Sequence, residues 1–123
     1  MPEKPLPTVF VVDDLPVIVM TVVAILNESG FNATGFNGAE DALQAAEAGC
    51  PDLLITDVSM PGMNGIELAI RFRSLYPTCK IVLFSGHAST GDLLEAAKGR
   101  GHDFTILAKP IHPKDLLAVI TKL

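Results

Sequence analysis

The sequence predicts an α/β fold in which a parallel five-stranded sheet is covered by helices on both faces. Five short stretches that favour β-strands alternate with five longer helical patterns along the chain, an order that is typical of successive βαβ units. Most of the strand stretches are continuously apolar and β-branched, as expected for parallel strands that are buried on both faces. The predicted strands span residues 8–12, 32–36, 53–57, 80–84 and 104–108.

Proline and glycine residues mark where the predicted helices begin and end. Pro16 suits the first turn of a helix, and Gly30 and Gly49 suit the positions that follow one. Pro77 lies just beyond the third helical pattern. The predicted helices span residues 16–29, 38–48, 66–76, 90–100 and 113–123.

Length and composition indicate one domain with a single hydrophobic core. The chain has 123 residues, of which 49% are hydrophobic, and a chain of this size can bury such a core. We expect residues 8–123 to form the domain and the proline-rich residues 1–7 to form a flexible tail. No apolar stretch reaches the roughly 18 residues of a membrane span, and a formal net charge of −5 argues against nucleic-acid binding.

Two isolated cysteines, Cys50 and Cys79, fit no metal-binding or redox-motif spacing. We interpret them as reduced thiols, which predicts a cytoplasmic protein. Spacing alone leaves a single disulfide between them open.

Polar side chains follow four of the predicted strands at the point where each strand ends. Asp13 and Asp14 follow the first strand, Asp57 ends the third, Ser85 follows the fourth and Lys109 follows the fifth. Ligands bind at the carboxyl ends of strands in open α/β sheets, so we expect these side chains to converge on one edge. Each alone has an ordinary explanation as a turn residue, a helix cap or a solvated charge. Four coincident strand ends predict a site.

The predicted site combines three carboxylates with an ammonium group and a hydroxyl. Two carboxylates 4 Å apart repel by about 4 kcal/mol at an effective dielectric constant near 20, so the cluster must either raise its pKa values or bind a cation. Oxygen ligands of this kind suit Mg²⁺, which retains water and favours phosphate oxygens. With a lysine and a hydroxyl nearby, the arrangement predicts stabilisation of a phosphoryl group.

Four motifs carry a resemblance to a known family. They are Val12-Asp13-Asp14, Asp57 with the segment Met-Pro-Gly-Met-Asn-Gly at 60–65, Phe84-Ser85-Gly86, and Lys109-Pro110. With these motifs in this order, the chain resembles the receiver domain of bacterial two-component response regulators over residues 9–123. The resemblance implies a flavodoxin-like, doubly wound sheet with strand order 2-1-3-4-5 and five flanking helices.

The resemblance also implies a role for each acidic residue. Asp57 would accept a phosphoryl group from a phosphohistidine on a sensor histidine kinase or a histidine phosphotransfer protein. Asp14 would bind Mg²⁺ directly and Asp13 mainly through water. Asp57 and the backbone carbonyl of Ser59 would complete the protein ligands.

By the same resemblance, Lys109 would pair with phosphoryl oxygens, and Ser85 would move to hydrogen-bond one of them. The peptide between Lys109 and Pro110 would be cis, a form that only an X-Pro bond adopts at low cost. Asp57 would attack phosphorus in line. The shift of Ser85 toward the acyl phosphate would then bias a loop and helix equilibrium that carries the signal.

Several interpretations of this chemistry stay open. The first is a stand-alone receiver that promotes its own phosphorylation and dephosphorylation and is not a multiple-turnover enzyme. The second is a receiver module from a hybrid histidine kinase or a larger regulator. The third is an Mg²⁺-dependent phosphatase with an aspartyl nucleophile, although such haloacid-dehalogenase-type enzymes usually carry Asp-x-Asp after the first strand and here the acids are adjacent. The intact acid, hydroxyl and lysine set disfavours a degenerate binding module. The sequence does not decide whether phosphorylation drives homodimerisation.

Positions beside the site modify the family pattern. Many receivers carry an aromatic switch three residues before the lysine, whereas here that residue is Ile106 and the nearby aromatic is Phe104. The two share a face of the strand, so Phe104 could take over this role, but we expect that aromatic switching is absent. His87, two residues after Ser85, is expected to affect the lifetime of the acyl phosphate. The alternative is an exposed loop imidazole.

The first helix predicts a docking surface for the phosphodonor. Four apolar residues at helical spacing are expected to face the core: Ile18, Val22, Ile25 and Leu26. Val19, Met20 and Val23 would then lie on a second, exposed face. In the receiver family the kinase bundle docks beside this helix and the loop after Lys109, so we expect these residues and Pro110 to contact the partner. The alternative is a helix that is buried more completely.

Overall fold

One parallel sheet of five strands forms the centre of the computed structural model, which describes residues 6–86, 95, 98–101, 104–109 and 112–122. The strands are β1 (Thr8–Val12), β2 (Asn32–Phe36), β3 (Leu53–Asp57), β4 (Lys80–Ser85) and β5 (Thr105–Ala108). They lie in the order β2-β1-β3-β4-β5, which confirms the predicted doubly wound fold.

Helices flank the sheet on both faces, as predicted. They are α1 (Pro16–Glu28), α2 (Ala39–Ala48), α3 (Gly65–Leu75) and a C-terminal helix (Pro113–Thr121). The predicted helix at 90–100 lies mostly outside the described residues. Within the described part of the chain, no helix combines the length and the apolar character needed to cross a lipid bilayer.

The central strands are buried on both faces, as their continuous apolar sequences predict. Successive side chains of a strand point to opposite faces, so neighbouring strand residues separate into two core clusters. Leu54 and Leu83 belong to the cluster that residues of α2 and α3 complete. Ile55 and Val82 belong to the other cluster, which residues of α1 and the C-terminal helix complete. The result is a three-layer domain whose polar strand ends lie at the rim of the core.

Helix α1 is buried more deeply than predicted, and this corrects the expected docking face. Val19 is only 7% exposed. It packs over Gly35 of β2, where a Cβ atom would clash with the Val19 side chain. Val23 is half-buried and packs against the core cluster that α1 and the C-terminal helix complete. A bare glycine in the neighbouring strand lets the helix approach the sheet closely, so of the three residues expected on the exposed face only Met20 is exposed.

Both cysteines are free thiols. Cys50 is exposed and Cys79 is buried. Burial raises the pKa of the Cys79 thiol to about 12, so this side chain packs as a small apolar group and forms little thiolate at neutral pH.

Candidate functional site

The register of the parallel sheet brings the polar strand ends to one edge. Val12 of β1 pairs with Thr56 of β3, and the carboxylates of the next residues, Asp13 and Asp57, lie within 4.8 Å of each other. Ser85 at the end of β4 pairs with Ala108, the residue before Lys109. The predicted convergence at the carboxyl edge is therefore present, and it follows from strand length and register alone.

The Lys109 ammonium group joins two buried carboxylates. Its Nζ atom lies 3.0 Å from Asp13 Oδ2 and 3.1 Å from Asp57 Oδ1. Asp13 is fully buried and Asp57 is 5% exposed, so the contacts are protected from the solvent screening that weakens surface ion pairs. The backbone N–H of Lys109 donates to the Ser85 carbonyl at 3.0 Å and holds the residue at this edge.

Burial, hydrogen bonds and neighbouring charges shift the pKa values of Asp57 and Lys109. Burial raises the pKa of the Asp57 carboxyl above its ordinary value of 3.8; the hydrogen bond from Lys109 opposes this shift, and the charges of Asp13 and Asp14 add to it. Burial disfavours the charged form of Lys109, but its hydrogen bonds to Asp13 and Asp57 outweigh burial and raise its pKa above 10.5. The site therefore holds more negative charge than one lysine balances.

The three acidic residues form a cluster that fits a divalent cation. Asp13, Asp14 and Asp57 each place a carboxylate oxygen within 4.8 Å of the others. Asp13 Oδ1 accepts a hydrogen bond from the Leu15 backbone N–H at 3.0 Å, and its Oδ2 accepts one from Lys109. Asp14 is the most exposed of the three. A cluster of hard oxygen ligands in which one carboxylate faces solvent suits a cation that keeps part of its water shell, as Mg²⁺ does.

The segment after β3 is fixed by a close backbone approach. The N–H of Gly65 donates to the Val58 carbonyl at 2.9 Å, and a Cβ atom on Gly65 would clash with the Asp57 carbonyl oxygen. Asn64 caps α3 by accepting a hydrogen bond from the Glu67 N–H at 2.9 Å. Sequence reasoning gave Gly65 no structural role, although an Asn-Gly pair directly before a helical pattern was a usable signal.

The two residues considered for aromatic switching occupy different environments. Ile106 is 44% exposed. It lies in β5, two residues before Ala108, and Ala108 pairs with Ser85. Phe104 precedes β5 and is buried, and the guanidinium carbon of Arg73 lies 4.3 Å from its ring centroid. Phe104 therefore lies two residues further from Ala108 than Ile106 does, and it packs against Arg73.

Two predicted site residues, His87 and Pro110, lie outside the described residues. The effect of His87 on the acyl phosphate, the cis peptide before Pro110 and the contact of Pro110 with a partner stay predictions. Ser85 is half-buried at the end of β4, and Ser59 is exposed two residues after Asp57.

A family model matches almost the whole chain around this site. The model of the response regulator receiver domain covers residues 9–121. The chain belongs to this family. Receiver domains act in two-component signal transduction, where they interact with histidine kinases and bind Mg²⁺ at an acidic pocket. The cluster of Asp13, Asp14 and Asp57 is an acidic pocket of this kind.

The receiver domain is similar to curated proteins of very different length. It is 33% identical over 102 residues to the response regulator receiver protein CpdR of Brucella abortus, and this match covers 83% of each chain. It is 38% identical over 87 residues to the autoinducer 1 sensor kinase/phosphatase LuxN of Vibrio harveyi, covering 71% of this chain and 10% of LuxN. It is 33% identical over 115 residues to the transcriptional regulatory protein FixJ of Bradyrhizobium diazoefficiens, covering 91% of this chain and 54% of FixJ.

Solved structures show the same architecture. A CheY-like receiver domain protein from Methanospirillum hungatei superposes with a TM-score of 0.85 at 26% identity, covering 95% of this chain and 92% of that one. The chemotaxis protein CheY4 of Vibrio cholerae superposes with a TM-score of 0.82 at 28% identity, covering 95% and 98% of the two chains.

Proposed function

We propose that Asp57 is the phosphoacceptor of this receiver domain and takes a phosphoryl group from a phosphohistidine on a sensor histidine kinase or a histidine phosphotransfer protein. The observation that carries the proposal is the position of Lys109 between Asp57 and Asp13, within an acidic cluster. Its ammonium group lies 3.1 Å from the Asp57 carboxylate, within reach of the oxygens of a phosphoryl group attached there.

Four protein groups would hold Mg²⁺ at this site. Asp14 would be a direct ligand, because it is the most exposed acid of the cluster. Asp13 would act mainly through water, since both of its oxygens already accept hydrogen bonds from the protein. Asp57 and the backbone carbonyl of Ser59 would complete the set. When bound, Mg²⁺ supplies positive charge that offsets the repulsion between the carboxylates and the incoming phosphoryl group.

The transfer is a nucleophilic displacement at phosphorus. An Asp57 carboxylate oxygen attacks in line with the bond between phosphorus and the donor imidazole nitrogen. The P–O bond of an acyl phosphate forms as the P–N bond breaks, and the electron pair leaves with the imidazole, which is protonated from solvent. Lys109 pairs with the equatorial oxygens, and Ser85 donates a hydrogen bond to one of them. The shift of Ser85 at the end of β4 is the signal.

The phosphodonor docks on the exposed apolar surface at the start of α1, which we define by the N-cap residue Leu15 together with Val17 and Met20. These side chains are 51%, 67% and 71% exposed, and α1 contains no charged residue before Glu28. Leu15 directly follows the acidic pair, so a donor that covers the site also covers this surface. The corrected surface keeps Met20 from the sequence prediction and replaces the buried Val19 and the half-buried Val23.

Relatives of both organisations match this receiver, and its cysteine chemistry supports a cytoplasmic location. CpdR, of which the match covers 83%, is a response regulator receiver protein of similar length, and LuxN, of which the match covers 10%, is a much longer sensor kinase/phosphatase. The free thiols of Cys50 and Cys79 suit a reducing compartment.

Labelling with a small phosphodonor tests the proposal. We expect acetyl phosphate and Mg²⁺ to add at most one phosphoryl group per chain, as measured by intact mass, and chelation of Mg²⁺ to prevent the addition. Continuous hydrolysis of p-nitrophenyl phosphate without an accumulating phosphoprotein would favour the phosphatase. A chain that gains no phosphoryl group under either condition would contradict the proposed function.

A further inference from the structure

Thr56 is a buried polar residue to which the proposed mechanism gives no role. It lies in β3 directly before Asp57 and is fully buried. The residues that pair with it on the neighbouring strands are apolar, Val12 on β1 and Leu83 on β4. A valine has nearly the same shape and would avoid the cost of burying a hydroxyl group among them. The hydroxyl is therefore expected to have a polar partner that offsets this cost.

The partner is the backbone carbonyl of the next residue, Asp57. Thr56 Oγ1 donates a hydrogen bond to this oxygen at 3.0 Å. The Val58 N–H of the same planar peptide group donates to the Phe84 carbonyl on β4 at 3.0 Å, so the Asp57 carbonyl points away from β4 and toward β1. The pairing of β3 with β1 ends at Thr56. The hydroxyl thus supplies a donor to a strand carbonyl that lies beyond the end of this pairing.

The peptide group between Asp57 and Val58 is held on both of its sides. Thr56 bonds to its carbonyl, and Phe84 accepts from its N–H. The next carbonyl along the chain, that of Val58, accepts from the Gly65 N–H at 2.9 Å. Because the chain beyond Val58 is held in this way, a rotation of the peptide group moves the Cα atom of Asp57, from which the carboxylate branches.

We propose that Thr56 is a positioning residue for phosphoryl transfer: its hydroxyl fixes the last peptide group of β3 and thereby the place of the Asp57 carboxylate. This carboxylate lies 3.1 Å from Lys109 Nζ, and a nucleophile must meet phosphorus in a narrow range of positions. The inference rests on the proposed role of Asp57 as the phosphoacceptor. Thr56 touches none of the reacting atoms and acts only through the backbone of Asp57.

Labelling rates test whether the hydroxyl is the group that matters. With acetyl phosphate and Mg²⁺, we expect Thr56→Val to be labelled about three- to tenfold more slowly, in line with the loss of one neutral hydrogen bond. Thr56→Ser keeps the hydroxyl and should be labelled at nearly the wild-type rate. If the valine variant does not fold, Thr56→Ala takes its place in the comparison with Thr56→Ser, because alanine and serine differ only in the hydroxyl.

Thr8→Val is the matched control. Thr8 begins β1, at the opposite end of the strand from Asp13, and its hydroxyl donates to Asp52 Oδ2 at 3.1 Å. The variant makes the same chemical change and removes a hydroxyl hydrogen bond from the same sheet, but far from the site. We expect it to be labelled at the wild-type rate.

Hydrogen exchange in EDTA, followed by NMR, gives a second readout that needs neither metal nor phosphodonor. In Thr56→Val the Val58 N–H should exchange at least threefold faster relative to the Ile55 N–H in the middle of β3, because only the peptide group next to the lost hydroxyl is released. In Thr8→Val this ratio should stay at the wild-type value, since a general loss of stability speeds the exchange of both groups alike.

A wild-type labelling rate for Thr56→Val, or an unchanged exchange ratio between Val58 and Ile55, would overturn the inference. An equal loss in Thr56→Ser would overturn it as well, because the methyl group and not the hydroxyl would then be responsible. An equal loss in Thr8→Val would show a general effect of stability and would have the same consequence. A wild-type chain that is not labelled at Asp57 would contradict the proposed function instead, and this outcome separates the two failures.

Discussion

At the end of β5, one ammonium group faces three carboxylates, and Lys109 contacts two of them directly. Burial removes the water that would otherwise solvate these charges. The excess negative charge favours binding of a divalent cation. Burial, with the charges of Asp13 and Asp14 adding to it, raises the pKa of Asp57. Removing the Asp57 carboxylate should therefore raise stability while it abolishes phosphorylation.

Asp57→Asn is expected to abolish labelling by acetyl phosphate and to raise the melting temperature at neutral pH in EDTA. The amide keeps the shape of the carboxylate but removes a charge that burial disfavours and that Asp13 and Asp14 repel. For a chain of this size the gain is about 4 °C for each kcal/mol of repulsion relieved. Thermal unfolding followed by circular dichroism measures it, and a lower melting temperature would contradict the charge balance described above.

The stabilisation by Asp57→Asn should depend on pH. The pKa of Asp57 is raised in the folded chain, so ionisation of Asp57 destabilises the fold, and this cost grows as the pH rises through the folded pKa. Below 3.8, the ordinary value, the carboxyl is protonated in both states and the cost disappears. The difference in melting temperature between variant and wild type should therefore be largest near neutral pH and shrink in acid. A difference that is independent of pH would count against the raised pKa.

Lys109→Met is expected to lower the free energy of unfolding by about 1 to 3 kcal/mol in EDTA, because the carboxylates of Asp13 and Asp57 lose their donor. The raised pKa of Lys109 means that its stabilisation is fully present below pH 10.5 and is lost as the pH rises through the folded pKa. Added Mg²⁺ should restore more stability to this variant than to the wild type. Lys80→Met, which removes an exposed charge on the same sheet, serves as the control in urea unfolding; an equal effect of both variants would remove the special role of Lys109.

At the scale of elements, the junction between β3 and α3 holds the backbone of Asp57. Gly65→Ala should destabilise the chain by about 1 to 3 kcal/mol, the usual cost of overpacking, because the added methyl group meets the Asp57 carbonyl oxygen. Gly38→Ala is the matched control, since Gly38 precedes α2 and its Cβ position is open. Urea unfolding of the two variants compares them, and equal stabilities would show that the junction can relax.

The exposed surface of α1 carries the prediction about the partner. Met20→Glu should slow phosphotransfer from a phosphorylated histidine phosphotransfer protein at least tenfold, because a charge on an apolar interface must be desolvated. Labelling by acetyl phosphate, which needs no docking surface, should be unchanged. Leu75→Glu places the same charge on an exposed apolar residue of α3 and should affect neither reaction. Equal losses with both phosphodonors would place the effect of Met20 in the site and not in docking.

At the scale of the whole molecule, the five strands could be predicted from the sequence with their ends correct to about one residue, as at Thr8–Val12 and Asn32–Phe36. Apolar β-branched runs indicate strands, and glycine or proline indicates helix ends. Both are local signals, and the structure agrees with them. The strand order required the family resemblance, because local patterns contain no information about which strands are neighbours. Asp13, Asp57 and Lys109 all lie at strand ends, and this was sufficient to predict that they meet in the structure.

Contacts between elements were not predictable in the same way. The burial of Val19 depends on Gly35 in another strand, so the apolar pattern of α1 could not separate its buried side from its exposed side. Gly65 approaches Asp57 closely, and Gly86 approaches Lys109. These are also contacts between separate segments, which the spacing of residues along the chain does not encode.

Identifying the phosphorylated residue tests the role of Asp57 most directly. Borohydride reduces an aspartyl phosphate to homoserine, so peptide mass spectrometry after labelling with acetyl phosphate and Mg²⁺ locates the modified residue. We expect homoserine at position 57, only in samples that contained both the phosphodonor and Mg²⁺. Homoserine at position 13 or 14, or a phosphoryl group retained on a histidine, would contradict the assignment of Asp57 as the phosphoacceptor.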